Sequence, residues 1–187
     1  MSLPTIYLAS ASPRRRELLD QIVFNTFRNP YLEQKHDGAI VPLKGPVVIS
    51  TDSFVVSPIF FRGGDIGDLA VNGTVNDVAM CGGIPEFISL GFIIEEGLEM
   101  GQFLRVVESV KRAAEEAGVL VVTGDTKVVP RGAADKIFIN TSGIGFVGKQ
   151  VDISSRNAME GDAVILSGTM GDHGITIMTR QSGIAVQ

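Results

Sequence analysis

Two apolar runs frame this chain. Val47-Val48-Ile49-Ser50-Thr51 runs directly into Asp52, and Val119-Leu120-Val121-Val122 leads into Thr123-Gly124-Asp125-Thr126-Lys127. Short runs of β-branched residues bounded by turn formers read as buried strands. A carboxylate that follows such a strand lies in a crevice and not on open surface. A fold with two such positions needs amphipathic helices to cover its strands, and the rest of the sequence provides them.

A helix is predicted through Arg16, Leu18, Leu19, Ile22, Val23 and Phe27. Asn29-Pro30 stops it, because a residue before proline is pushed out of the helical region. A second helix is predicted from Asp65 to Gly83, entered through Gly63-Gly64 with Asp65 as its N-cap. A third runs from Met100 to Ala117 on the apolar spacing of Phe103, Leu104, Val106, Val107, Val110, Ala113 and Ala114, and Gly118 ends it. Glu86–Glu95, Lys136–Val147 and Asp162–Ser167 read as further strands. Alternating strands and helices, some strands antiparallel, give an α/β (α+β) class with a mixed sheet and flanking helices. Gly148–Gly161 is polar and reads as a linker. The strand and helix start that follow it look like the opening of a second domain, and the chain is expected to be a fragment that stops before that domain closes a core.

Composition excludes several classes. Of 187 residues, 44% are hydrophobic and 20% charged, so the chain folds as a globule. A net charge of −5 argues against a general nucleic-acid binder. No apolar run approaches the roughly 20 residues of a spanning helix. The first segment places arginines after its short apolar stretch, the reverse of a signal peptide. A single cysteine, Cys81, excludes an internal disulfide and a multi-cysteine zinc cage. The expected compartment is the cytoplasm.

Acidic motifs sit at the ends of the predicted elements: His36-Asp37-Gly38-Ala39, Thr51-Asp52-Ser53, Val75-Asn76-Asp77-Val78 and Thr123-Gly124-Asp125-Thr126-Lys127. Asp77 shares a helical stripe with Gly73, Thr74, Met80 and Cys81, all apolar or small, which predicts an inward-facing carboxylate. Such a group is either satisfied by backbone amides or bound to a cation, and a hard cation such as magnesium prefers carboxylate oxygen. Asp65, Asp68, Asn72 and Asn76 form a polar stripe that reads as a solvated face or a ligand face. Gly63-Gly64 leaves backbone N–H groups available to an anion at the helix start. Lys127 either neutralises phosphate near a reacting group or pairs with Asp125 on the surface. Cys81 is expected to be a buried, inert thiol. His36 and His173 form no zinc motif, and neither a Walker A loop nor a dinucleotide fingerprint is present.

From about Asn29 onward, these stretches together resemble the N-terminal part of the HypE family of hydrogenase maturation proteins. The matching segments are Asp37-Gly38-Ala39, Thr51 to Pro58, Phe60 to Gly67, Val71 to Asp77, Leu90 to Gly97, Val122 to Val129 and Ser167 to Gly174. This family lies among the PurM-like ATP-binding proteins related to AIR synthetase. The resemblance implies residues 29–150 as an N-terminal ATP-binding domain, residues 151–187 as the start of a second domain, and a homodimer whose sheets pair. It implies magnesium ligands at Asp37, Asp52, Asp77 and Asp125, with Asp77 and Lys127 at the reacting group. Gly63, Gly64, Asn72, Asn76, Thr123, Gly124 and Thr126 would contact ATP. The reaction implied is ATP-dependent dehydration of an S-carbamoyl cysteine to a thiocyanate, the source of cyanide ligands for [NiFe]-hydrogenase iron. A HypF-like carbamoyl donor and a HypC/HypD-like acceptor would be its partners.

The sequence departs from that family in two places. It ends at Ile184-Ala185-Val186-Gln187 without a terminal cysteine to carry the carbamoyl group. Residues 1–28 differ at their start, where Leu8-Ala9-Ser10-Ala11-Ser12-Pro13-Arg14-Arg15-Arg16 looks like the opening of Maf nucleotide pyrophosphatases. Ser12, Arg14 and Arg15 would then engage nucleotide phosphate. Two alternatives follow, a Maf-like pyrophosphatase and a non-catalytic dimeric scaffold for maturation partners.

Overall fold

The computed structural model describes residues 13–34, 38–43, 45–172 and 174–175, with side chains from Glu17 onward. These residues divide into two compact units, one reaching Ile153 and the other beginning at Ser154. The first contains helices α1 (Pro13–Thr26), α2 (Ile66–Met80) and α3 (Met100–Ala117). Its strands are β1 (Val47–Phe54), β2 (Phe60–Phe61), β3 (Gly64–Asp65), β4 (Gly83–Glu95), β5 (Leu120–Val129) and β6 (Ile137–Val147).

Four strands form one sheet in the order β1-β6-β4-β5, and β2 and β3 form a short separate hairpin. β1 and β4 each pair antiparallel with β6, whereas β4 and β5 run parallel. A parallel pair needs a long crossover, and α3 supplies it. Its regular apolar spacing places Phe103, Val106, Val107, Val110, Ala113 and Ala114 inside, and Gly118 closes it in the left-handed region at φ 69°. α2 buries Ile66, Ala70, Val71, Thr74 and Val78 beside it. Beneath both helices lie Leu90, Phe92 and Ile94 of β4 with Ile137, Ile139 and Thr141 of β6. α1 joins the same core through Leu19, and Phe27 adds to it just beyond the helix end.

The sheet therefore has a covered face and an open one. Successive strand residues point to opposite faces, so the open face carries Ile49, Thr51 and Ser53 of β1, Asn140, Ser142 and Ile144 of β6, and Ser89 and Ile93 of β4. Ile49 is 68% exposed there and Ile93 41%.

Three strands are longer than the sequence predicts. β4 begins at Gly83 and not at Glu86. β1 continues through Asp52 to Phe54, and β5 continues through the Thr123–Lys127 motif to Val129. Both acidic motifs thus lie inside strands and not beyond them. The extension of β5 depends on Gly124, where an added Cβ would strike the Leu90 carbonyl oxygen, so only glycine lets the two backbones approach there. Asp162–Ser167 forms no strand: it pairs with no described strand, and Val164 is 92% exposed. An apolar run becomes a strand only where a neighbouring edge accepts its hydrogen bonds.

Candidate functional site

Asp52 of β1 and Asp77 of α2 lie on neighbouring elements at the β1 edge of the covered face: Ser50, two residues before Asp52, contacts Asp77, and Gly73, one turn before Asp77, approaches Asp52. Asp52 stands directly across from Thr141 in the β1–β6 ladder. Thr141 shares a buried hydroxyl–hydroxyl hydrogen bond with Thr74 of α2, and its Oγ1 also donates to the Ala70 carbonyl at 3.3 Å. This pair pins α2 to the sheet at the level of Asp52. One turn on, Ser50 donates its hydroxyl to Asp77 Oδ2 at 3.1 Å. Gly73 permits the close approach, because a Cβ there would lie 2.8 Å from the Phe54 ring and 3.9 Å from Asp52 Oδ2.

Each carboxylate is only partly engaged. Asp52 Oδ1 accepts from the Ser53 N–H at 2.8 Å, which leaves Oδ2 without a hydrogen bond among the described residues. Asp77 Oδ1 is left in the same way. Two solvent-facing carboxylates with one uncommitted oxygen each are hard donors suited to a divalent cation. Among the described residues no group of three or more acidic, histidine or cysteine side chains forms a metal cage.

Several predicted placements are corrected. Asp77 is exposed and does not face inward. The buried stripe of α2 runs through Ala70, Val71, Thr74 and Val78, and Asp77, Met80 and Cys81 lie beside it on the rim. Cys81 follows α2 as its C-cap residue and is exposed, because the helix ends there and the chain turns outward at Gly82. The N-terminus of α2 is no open anion site. Asp65 Oδ1 accepts from the Gly67 and Asp68 N–H groups at 2.8 and 3.1 Å, and the Ile66 N–H donates to the Ile59 carbonyl. A carboxylate already holds the donors at which Gly63 and Gly64 were expected to receive phosphate. On the polar stripe, Asn72 donates to Asp68 Oδ1 at 3.0 Å, and Asn76 is exposed.

The Thr123–Lys127 motif lies at the far edge of the sheet. In register, Gly124 sits opposite Leu90 and Asp125 opposite Gly91. Leu90 in turn pairs with Thr141, the residue across from Asp52. Asp52 and Asp125 are therefore three strand spacings apart, about 14 Å, and alternation turns them to opposite faces. Asp125 and Lys127 project from the open face as an exposed pair, 3.5 Å between Oδ2 and Nζ. Thr126 is 5% exposed among covered-face residues. Thr123, Gly124, Asp125 and Thr126 line a cavity of about 250 Å³ beside Asp20, Val23 and Phe24 of α1. Within one chain Asp52 and Asp77 thus lie at the β1 edge of the sheet and Asp125 and Lys127 at the β5 edge. Asp37, Ser12, His36 and His173 lie outside the described residues, as do the side chains of Arg14 and Arg15.

Sequence reasoning missed Ser50, Thr74 and Thr141. Ser50 stands beside Thr51 and Thr141 beside Ser142, so nothing in the sequence singles them out, and only the pairing of β1 with β6 beneath α2 gives them a common location.

Comparison with known proteins fits this architecture. Residues 35–147 match the family described as AIR synthase related protein, N-terminal domain. Carbamoyl dehydratase HypE of Azotobacter vinelandii is 48% identical over 172 residues, covering 91% of this chain and 50% of that protein. That match is longer than residues 29–187, so it takes in part of α1. A crystal structure of hydrogenase maturation protein HypE in complex with ATP superposes with a TM-score of 0.88 at 51% identity, covering 98% of this chain and 55% of the other. A HypE–HypF complex structure superposes at 0.72 with 46% identity, covering 91% and 55%. The chain spans about half the length of the curated relatives it matches. No described helix is long and apolar enough to cross a membrane.

Proposed function

This chain belongs to the AIR synthase related protein family, and we propose that it forms the ATP-binding half of a HypE-like carbamoyl dehydratase. The observation that carries the proposal is the Asp52–Asp77 corner, which offers hard oxygen ligands on a scaffold close to that of an ATP-bound relative. Residues 29–150 make up the nucleotide-binding domain in this reading, and residues 151–187 open a second one. The reaction converts an S-carbamoyl cysteine to a thiocyanate while ATP takes up the elements of water as ADP and phosphate. Magnesium would spread the charge of phosphoryl transfer when bound.

The chain's own residues bind and orient. Asp52 and Asp77 hold the cation side of the triphosphate, with Asn72 and Asn76 on the adjacent turns of α2. Asp125 and Lys127 serve from the other edge and face of the sheet, Lys127 as a fixed positive charge. Asp37 precedes β1 and is assigned with the other acids on the family pattern alone. A HypF-like donor and a HypC/HypD-like acceptor are the proposed partners, and the single cysteine suits a reducing cytoplasm.

Mixing the chain with Mg²⁺ and a non-hydrolysable ATP analogue is expected to raise its melting temperature, with the rise dependent on the metal. A folded chain that shows no shift at millimolar ligand would overturn the nucleotide-site reading.

The proposed homodimer uses the open sheet face. Ile49 and Ile93 are too exposed for a finished surface, and a second copy of the same face would cover them. Ile49→Asp is expected to convert the dimer to monomer in sedimentation velocity, with little change in helix content by circular dichroism. A wild-type chain that sediments as a monomer would rule out this dimer.

A further inference from the structure

Two arginines of α3 carry charge that nothing beside them neutralises. Arg105 and Arg112 are seven residues apart, so they share one face of the helix, roughly 10 Å apart along its axis. With Gly63 and Gly64 of the β2–β3 hairpin they line a cavity of about 430 Å³. Each guanidinium is held there by a neutral group. The Arg105 guanidinium carbon lies 3.9 Å from the centre of the Phe60 ring, and Arg112 Nη2 donates to the Ser109 hydroxyl oxygen at 3.2 Å. Ser109 is itself buried and lines the same cavity. Neither arginine forms an ion pair among the described residues. Asp65 also lines the cavity, but its carboxylate already accepts from the Gly67 and Asp68 N–H groups.

A guanidinium stacked on a ring keeps its N–H edge free, and that edge matches a carboxylate through two parallel hydrogen bonds. Glu108 decides what kind of anion can use it. It lines the cavity between the two arginines, three residues from one and four from the other. A single compact anion bridging both arginines would therefore meet the Glu108 carboxylate. Two separate carboxylates, one at each guanidinium, avoid that repulsion. Side chains two residues apart on an extended segment stand about 7 Å apart on one face, within reach of two arginine heads on long stems. We propose that this groove docks an acidic segment of a partner protein, one carboxylate on each arginine. The chain as a whole carries −5, so a local positive groove would also orient the approach of such a segment.

The test uses the whole 187-residue chain and follows the side-chain Nε–H resonances of both arginines by NMR. The probe is a synthetic peptide with two glutamates two positions apart, set against the same peptide with two glutamines. The glutamate peptide is expected to shift both resonances to saturation, and the glutamine peptide neither. Arg105→Gln and Arg112→Gln should each weaken binding roughly two- to fivefold, the worth of one exposed ion pair. Inorganic phosphate is expected to bind the wild type more weakly than the peptide does, and Glu108→Gln to narrow that gap. All three side chains are exposed, so circular dichroism should show the variants folded as wild type. A glutamate peptide that moves neither resonance, or that binds both arginine variants as it binds wild type, overturns the docking groove. Phosphate that saturates the wild type at a lower concentration than the peptide makes the occupant a single anion and overturns the two-carboxylate reading.

Discussion

Asp77→Asn is expected to abolish the rise in melting temperature that Mg²⁺ and an ATP analogue give the unsubstituted chain. The side chain is exposed, and asparagine keeps its size and still accepts the Ser50 hydroxyl, so the unliganded protein should melt as before. What disappears is a negative oxygen for the cation. At a ligand concentration 100 times Kd, binding stabilises the folded state by about 2.7 kcal/mol. For a chain of this size each kcal/mol moves the melting point by about 2–4 °C. The wild type should therefore gain about 5–11 °C by scanning calorimetry, and the variant almost nothing. A variant that keeps the full shift would remove Asp77 from the site.

Gly124→Ala is expected to cost about 3 kcal/mol, the upper end of typical overpacking, and to lower the melting point by about 6–12 °C. The added methyl meets the Leu90 carbonyl oxygen, a backbone atom of the neighbouring strand that no rotamer change can move aside. Relief requires the parallel β4–β5 ladder to open at the point where Thr123, Asp125 and Lys127 are displayed. Gly101→Ala serves as the contrasting control. It lies within α3 with nothing within 4 Å of an added Cβ, and should be neutral or stabilising by about 0.5–1 kcal/mol. Chemical denaturation of the two variants separates steric collision from a general dislike of alanine. Equal stability of the two would show that the strands accommodate the methyl.

The parts of this architecture that local chemistry dictates were legible in the sequence. α3 has a regular apolar stripe and a glycine stop, and the boundaries Met100–Ala117 follow from them directly. The Asp65 cap is legible for the same reason, since a carboxylate before a helix meets the free N–H groups of its first turn. Asp77 was not legible. Its apolar or small neighbours Gly73, Met80 and Cys81 suggest burial, but the buried stripe of α2 runs through Ala70, Val71, Thr74 and Val78 and leaves Asp77 outside it. The N-terminus of α2 was misread because Gly63-Gly64 signals open backbone donors, whereas Asp65 both starts the helix and occupies those donors. The separation of Asp52 from Asp125 depends on strand order and on the parity of the register. Neither leaves a trace in the local sequence, since β6, which links the two halves of the ladder, is the last strand of the sheet in the chain.

The lateness of β6 has a kinetic meaning. Thr51 bonds to Thr141 across 90 residues, so β1 leaves the ribosome long before its partner strand exists. Until Ile137–Val147 has been synthesised, β1 has no ladder to join, and Asp52 has no fixed place relative to α2. Such distant pairings close slowly, because the loop entropy must be spent before any contact rewards it. The helical crossover between β4 and β5 can form while translation continues, but the acidic corner waits until β6 has emerged.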